Sequence, residues 1–385
     1  MIRFHELERI HIELSSACNA ACPACPRNVD GGYTIPWLKT RTLSFEDFKK
    51  IFTREVCQQL KTILMCGNYG DPIYCKDLPQ ILEYLWEENQ HLHVHVHTNG
   101  GVRSPAWWSA LAKSNPRLLV VFSIDGLEDT NHIYRRNVNW HKLRENIIAY
   151  IKVGGHAVWE YLIFKHNQHQ IDDARQMAKE LGFIDFKAKR AFGFENVANS
   201  YNSMRVLDNK GNVDYFIQPP EEEQYRNKNF QTEDTERYDY SANNSLTPNV
   251  YKTAWSQRDN NFNYVLDEEL KDYEKLDGTE ISCMTKNSKE IYIDSNGNVH
   301  PCCFLGIGSQ NITLSGDTMQ YHKWLKENIE LDKTNAKNYS LRQILDTNFL
   351  SKIENTWNKT HKEGRLMCCT NMCLRNKSAT DKLYV

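Results

Sequence analysis

Three cysteines fall within eight residues near the start of the chain, in the run Cys18-Asn-Ala-Ala-Cys22-Pro-Ala-Cys25. Thiolates spaced by three and then two intervening residues can wrap one corner of an iron–sulfur cube, each holding its own iron. In a four-iron cluster the fourth iron then lacks a protein ligand. An iron left open in this way can be chelated by the amino and carboxylate groups of a small molecule. Zinc is the competing occupant, but a structural zinc site wants four closed ligands, and no fourth donor lies nearby in sequence.

The remaining cysteines are unevenly spread. Cys57, Cys66 and Cys75 are isolated, none occurs between Cys75 and Cys283, and six lie in the last third: Cys283, Cys302, Cys303, Cys368, Cys369 and Cys373. A disulfide framework would scatter cysteines through a small secreted domain, whereas tight clusters point to metal. The three isolated residues read as unligated thiols.

Positioning the first triplet requires a scaffold, and the first 190 residues supply one. Apolar or β-branched runs at 10–14, 62–67, 91–98, 118–125, 158–165 and 183–190 alternate with segments of helical period. Ser44 is placed to cap one helix, with Asp47 three residues on. Each helical segment is long enough to cross between parallel strands. The expected fold is therefore α/β, a partial (β/α)6 TIM-like barrel whose site lies at the C-terminal strand ends, with a small C-terminal domain. Residues 191–280 are rich in Asn, Asp, Glu and Tyr and read as an irregular bridge or lid. A hairpin around Asn296-Gly297 opens a second module over 281–385. The helical stretches of that module are sought within 312–360.

Bulk properties exclude other classes. The formal net charge is −2, so no general attraction to nucleic acid or anionic membrane is expected. No apolar run approaches the ~18 residues of a membrane span, and the N-terminus does not read as a signal peptide, so a cytoplasmic location is expected.

The triplet, set directly after the first strand of a β/α series, resembles the radical S-adenosylmethionine (SAM) superfamily, and residues 1–190 resemble its core. Gly67-Asn68-Tyr69-Gly70-Asp71-Pro72 is similar to the family's glycine-rich GGE-P segment, with Asp71 in place of Glu. Thr98-Asn99-Gly100 is similar to its TNG. Ala24 stands where the family usually has an aromatic residue. The resemblance implies a [4Fe–4S] cluster on Cys18, Cys22 and Cys25, and a SAM pocket using Gly70, Asp71, Asn99, Ser123, Asp125 and Arg135. The polar residues of Lys165-His166-Asn167 are further candidates to face the pocket. It also implies an oxidoreductase-like reaction in which SAM is cleaved to methionine and a 5′-deoxyadenosyl radical that removes a substrate hydrogen. A reductant such as flavodoxin or ferredoxin would supply the electron.

Cys283, Gly297 and Cys302 resemble the start of a SPASM/Twitch extension. The resemblance implies one auxiliary iron–sulfur cluster, of [4Fe–4S] type, on Cys283, Cys302, Cys369 and Cys373, with Cys368 the alternative to Cys369. That cluster would transfer electrons or bind substrate. Relatives with this extension suggest a peptide or protein side chain as substrate. Against this, a first strand beginning at residue 10 leaves no room for an N-terminal peptide-recognition domain. The alternatives are a radical dehydrogenase or related enzyme acting on a small polar metabolite, and a non-enzymatic iron–sulfur electron carrier. His91, His93, His95 and His97 alternate along the third strand and read as a polar lining of the barrel rather than as metal ligands.

Overall fold

The computed structural model describes residues 2–36, 38–191, 194, 203–226, 273–309 and 316–373. Its strands are β1 (Arg9–Ile12), the two-residue β2 (Asn28–Val29) and β3 (Tyr33–Thr34), β4 (Thr62–Met65), β5 (His93–Thr98), β6 (Leu118–Ser123), β7 (His156–Ile163) and β8 (Asp185–Arg190), followed by β9 (Met204–Leu207), β10 (Val213–Ile217), β11 (Glu290–Ile293) and β12 (Val299–His300). β1, β4, β5, β6, β7 and β8 lie side by side, all parallel, in chain order. These are the six strands expected from the apolar runs, and the mixed α/β fold with its partial barrel is the architecture observed.

Helices α1 (Phe45–Ile51), α3 (Leu78–Glu88), α4 (Pro105–Ser114), α6 (Trp140–Lys152) and α7 (Ile171–Leu181) form where the apolar period placed them, and the structure adds the short α2 (Arg54–Gln59) and α5 (Asn131–Tyr134). Ser44 Oγ accepts from the Asp47 amide at 3.1 Å, the cap expected for α1. Ser104 and Asn139 cap α4 and α6 in the same way. Gly182, at φ +87°, ends α7 in the left-handed conformation that glycine adopts without penalty.

Alternation along the strands divides the side chains into two sets. Ile10, Ile12, Ile63, Met65, Val94, Val96, Val120 and Phe122 are buried and form the core beneath the helices. The opposite face carries His11, Glu13, His97 and Glu160. The histidines of β5 fall on this polar face: His97 Nδ1 lies 3.9 Å from Glu160 Oε2, which also receives Lys189 Nζ at 3.0 Å.

The C-terminal third is built onto the same sheet. β11 runs parallel to β1, pairing Ile291 with Ile10 and Ile293 with Ile12, and β12 folds back against β11. The hairpin turns at Gly297, φ +90°, where Asp294 Oδ1 accepts from the Asn296 and Asn298 amides. The module expected from Cys283 onward is thus seated on the strand that precedes the first cysteines, covering what would otherwise be an open edge. The sheet order is β12-β11-β1-β4-β5-β6-β7-β8, and among the described residues no strand pairs β12 with β8.

Part of the segment expected to be irregular has regular structure. β9 and β10 form an antiparallel hairpin around an Asp208-centred turn, docked through the Leu207 amide on the Asp30 carbonyl at 2.9 Å. Most of the remaining bridge, and with it the lid expectation, lies outside the described residues. Among the described residues no helix is long and apolar enough to cross a membrane.

Candidate active site

The cysteine loop leaves the C-terminal end of β1 through Glu13, Leu14, Ser15 and Ser16, all buried. Cys22 is buried while Cys18 and Cys25 are partly exposed, and Ala24 is exposed. A turn joins the Cys25 amide to the Cys22 carbonyl at 3.1 Å, and the Ala20 amide points at Cys18 Sγ at 3.4 Å. Burial raises all three thiols, Cys25 to about 12, and Cys22 and Cys25 add to the effect on Cys18. Three thiols facing one another in a dry pocket need cations to become thiolates together, a condition that bound iron meets. Among the described residues no three Cys, His, Asp or Glu side chains close on a single-ion position. A cube differs from a zinc site in this respect, because each thiolate takes a separate iron.

Two carboxylates organise the strand ends around this loop. Asp71, after β4, accepts at Oδ2 from Thr98 Oγ1 at 2.9 Å, from the Asn99 amide at 2.8 Å and from Asn99 Nδ2 at 2.9 Å. Burial lifts its pKa to about 6 against these hydrogen bonds. Asn99 Nδ2 also lies 3.0 Å from Asn19 Oδ1 and 3.5 Å from Cys18 Sγ, so the end of β5 is tied directly to the first cysteine. Asp125, after β6, is wholly buried. Its Oδ2 accepts from Arg135 Nε at 2.5 Å and its Oδ1 from the Leu162 amide at 2.6 Å. Arg135 Nη1 then lies 3.7 Å from Cys22 Sγ. Ser123, half-buried at the end of β6, stands in register with Glu160.

The structure therefore gathers Asp71, Asn99, Asp125 and Arg135 around Cys18 and Cys22, and gives the two aspartates partners within the protein. Gly70 has a further constraint. A Cβ there would sit 2.0 Å from the Ser15 carbonyl oxygen, so the space is filled by the chain's own backbone, not left for a ligand. Of the residues after β7, Asn167 is buried and bonds back to the Asp125 and Leu162 carbonyls, and Lys165 pairs with Glu221. His166 stacks on Phe164 at 5.2 Å, and Phe164 meets Tyr134 at 4.6 Å with the rings tilted by 33°.

Glu13 is a site residue that strand reading alone did not single out. Its Oε1 accepts from the Tyr69 amide at 2.7 Å and the Gly70 amide at 3.0 Å, holding the glycine-rich segment against β1. The available signal was parity: Glu13 continues the polar alternation of Arg9 and His11 just ahead of the cysteines. Asn68 was likewise passed over. Its carbonyl lies 4.0 Å from Cys25 Sγ, while its Nδ2 donates to the Cys303 carbonyl at 2.9 Å, linking the two cysteine-bearing regions.

The C-terminal cysteines come from three places. Cys283 precedes a short helix (Met284–Asn287), Cys302 follows β12, and Cys369 and Cys373 lie on the helix Met367–Cys373. Cys283 and Cys373 are hydrogen-bonded, which pulls the Cys283 thiol down and pushes Cys373 up. Burial raises Cys302 and Cys369, and Cys369 feels both Cys302 and Cys283. Burial raises Cys303 as well, with Cys66 adding to the effect. Cys57 and Cys75 are buried and bond to backbone carbonyls.

Comparison with known proteins agrees with this geometry. The model of the Radical SAM superfamily matches residues 12–181. A solved structure of polyhistidine-tagged anSMEcpe with bound AdoMet is similar over 96% of this chain and 86% of that one, at 14% identity and a TM-score of 0.51, a likeness of fold. Streptococcus suis SuiB bound to S-adenosylmethionine aligns over 78% of this chain and 61% of its own, at 16% identity and a TM-score of 0.44. BtrN in complex with AdoMet and 2-DOIA aligns over 95% and 92%, at 12% identity and a TM-score of 0.40. No curated protein matches the chain. Residues 12–181, from the end of β1 to α7 with the cysteine loop directly after β1, thus form a radical SAM domain, the mark of an enzyme that uses S-adenosylmethionine.

Proposed function

We propose that a [4Fe–4S] cluster on Cys18, Cys22 and Cys25 reductively cleaves SAM, and that the 5′-deoxyadenosyl radical so formed removes a hydrogen from a peptide or protein side chain. The observation that carries this reading is the convergence of Asn99 and Arg135 on two of the three thiols, 3.5 Å from Cys18 and 3.7 Å from Cys22. Both side chains are held by buried carboxylates, so they stand ready before a ligand arrives and need little reorganisation.

In this reading Asn99, Ser123 and Arg135 are the polar groups nearest the cofactor's amino acid and ribose. Asp71 and Asp125 position them, and Gly70 lets the loop close on β1. Arg135 supplies positive charge beside the cysteine loop, favouring thiolate at Cys22 and attracting a carboxylate. The polar barrel interior orients the substrate. Cys283, Cys302, Cys369 and Cys373 hold an auxiliary [4Fe–4S] cluster in the 281–385 domain that exchanges electrons with the substrate or binds it. A cytoplasmic flavodoxin or ferredoxin would deliver the electron.

The β12 and β8 edges, which no described strand joins, support a peptide substrate, because a chain segment can approach the interior between them. A specific observation favours a second reading, a small polar metabolite. Glu160, Lys189 and His97 form a partly enclosed charged group inside the barrel, suited to a compact ligand with its own charges or hydroxyls.

Anaerobic reconstitution with iron and sulfide, followed by dithionite and SAM, tests the core reading: 5′-deoxyadenosine and methionine should form. Their absence from a chain that carries its full iron would overturn it. Deuterium transfer into 5′-deoxyadenosine from labelled peptides or labelled polyols separates the two substrate classes.

A further inference from the structure

Among the described residues, two buried hydrogen-bond donors near the C-terminal cysteines lack a well-formed partner: Tyr321 Oη has none, and Trp357 Nε1 is directed at the Cys369 sulfur. A buried donor that bonds to nothing is costly, and one that stands beside a cluster of thiols points to an acceptor that the protein chain itself does not supply. The location identifies what that is. Tyr321 is wholly buried on the helix Gly316–Asn328, and its ring meets His300 at 6.4 Å, two residues before Cys302. One residue earlier, Gln320 Oε1 accepts from the Met367 amide at 2.7 Å and Gln320 Nε2 donates to the Arg365 carbonyl at 2.9 Å, clamping this helix against the one that bears Cys369 and Cys373. The phenol is thus set between the Cys302 strand end and the Cys369 helix. Trp357 approaches from elsewhere, after the helix Phe349–Glu354, with its indole N–H near Cys369. Burial also keeps the Tyr321 phenol protonated and therefore able to donate.

We propose that Tyr321 and Trp357 are positioning residues that donate hydrogen bonds to the sulfurs of the auxiliary cluster and raise its reduction potential. This rests on the reading that Cys283, Cys302, Cys369 and Cys373 hold such a cluster. An acceptor-rich body of thiolates and sulfides is the partner that suits both donors. Hydrogen bonds to those sulfurs disperse the charge gained on reduction, so the reduced state becomes easier to reach. The unpartnered phenol and the indole N–H aimed at Cys369 come from two different elements and together form a cradle for sulfur.

The test uses the full-length chain carrying Cys18, Cys22 and Cys25→Ala, reconstituted anaerobically so that only the auxiliary cluster remains. Iron and sulfide content first establishes whether that cluster forms; if it does not, the ligand assignment has failed, and with it the proposal. With the cluster present, a potentiometric titration followed by electron paramagnetic resonance compares the parent with Tyr321→Phe and Trp357→Phe. Each variant should keep its iron and shift to a more negative midpoint potential, and each should lose an exchangeable-proton coupling in electron–nuclear double resonance. Unchanged potentials together with unchanged couplings overturn the proposal. Should Tyr321→Phe fail to fold, Trp357→Phe and the parent's own deuterium-exchange couplings still decide it.

Discussion

Arg135 bridges Asp125 to the cysteine loop, with its Nε 2.5 Å from Asp125 Oδ2 and its Nη1 3.7 Å from Cys22 Sγ. Asp125 is wholly buried, so removing the guanidinium leaves an uncompensated carboxylate in a dry site. Arg135→Met should destabilise the chain by about 3 kcal/mol or more. It should also lower iron retention or SAM cleavage by about 10- to 100-fold, the usual effect of losing a group that orients metal ligands. Thermal unfolding and 5′-deoxyadenosine yield check the two effects, and Arg135→Lys should restore only part of the second, since Lys cannot fork between two partners.

The two cysteine sets should separate in iron analysis. Replacing Cys18, Cys22 or Cys25 by Ala should abolish 5′-deoxyadenosine formation while the C-terminal set keeps its iron. If Cys369 is the ligand, Cys369→Ala should lose the auxiliary signal and Cys368→Ala should keep it; Cys369 is close enough to Cys302 and Cys283 to feel both. Equal losses from the two variants would contradict the assignment of Cys369.

Glu13 makes stability depend on pH in a direction that can be stated. Burial raises its pKa from 4.5 to about 7, so between those values the native state binds more protons than the unfolded chain. Stability therefore falls as pH rises through that window. Glu13→Gln removes this penalty, and its stability relative to the parent should improve from pH 5 to pH 8 by on the order of 3 kcal/mol. Urea denaturation at the two pH values measures it; a pH-independent difference would show that Glu13 does not titrate in the window.

Gly70→Ala should be among the most damaging single substitutions in the chain. The added Cβ would lie 2.0 Å from the Ser15 carbonyl oxygen, and backbone held by β1 and β4 has little room to give. A loss of about 3 kcal/mol or more is expected, read as reduced soluble yield and a lower unfolding temperature. Gly154→Ala is the comparison for a glycine with nothing within 4 Å: its φ of +95° adds strain but no clash, so the loss should be smaller.

Local chemistry made much of this protein legible from its sequence. The six parallel strands followed from apolar runs, the helices from period and caps such as Ser44, and the cysteine triplet from spacing confined to eight residues. The motifs at Asp71, Asn99 and Asp125 could be found because each sits at a strand's C-terminal end, where parallel topology delivers it to one rim of the barrel. Long-range pairing could not be read in this way. That β11 would dock beside β1, that Asp125 would meet Arg135 and Arg135 meet Cys22, or that Asn68 would reach Cys303 depends on which surfaces exclude water together. The same holds for the choice between Cys369 and Cys368: adjacent residues on a helix point about 100° apart, so spacing alone does not say which of them meets the other thiols. Sequence determined the chemical groups and the strand ends that carry them; tertiary packing decided their partners, because burial and charge pairing act between residues far apart in the chain.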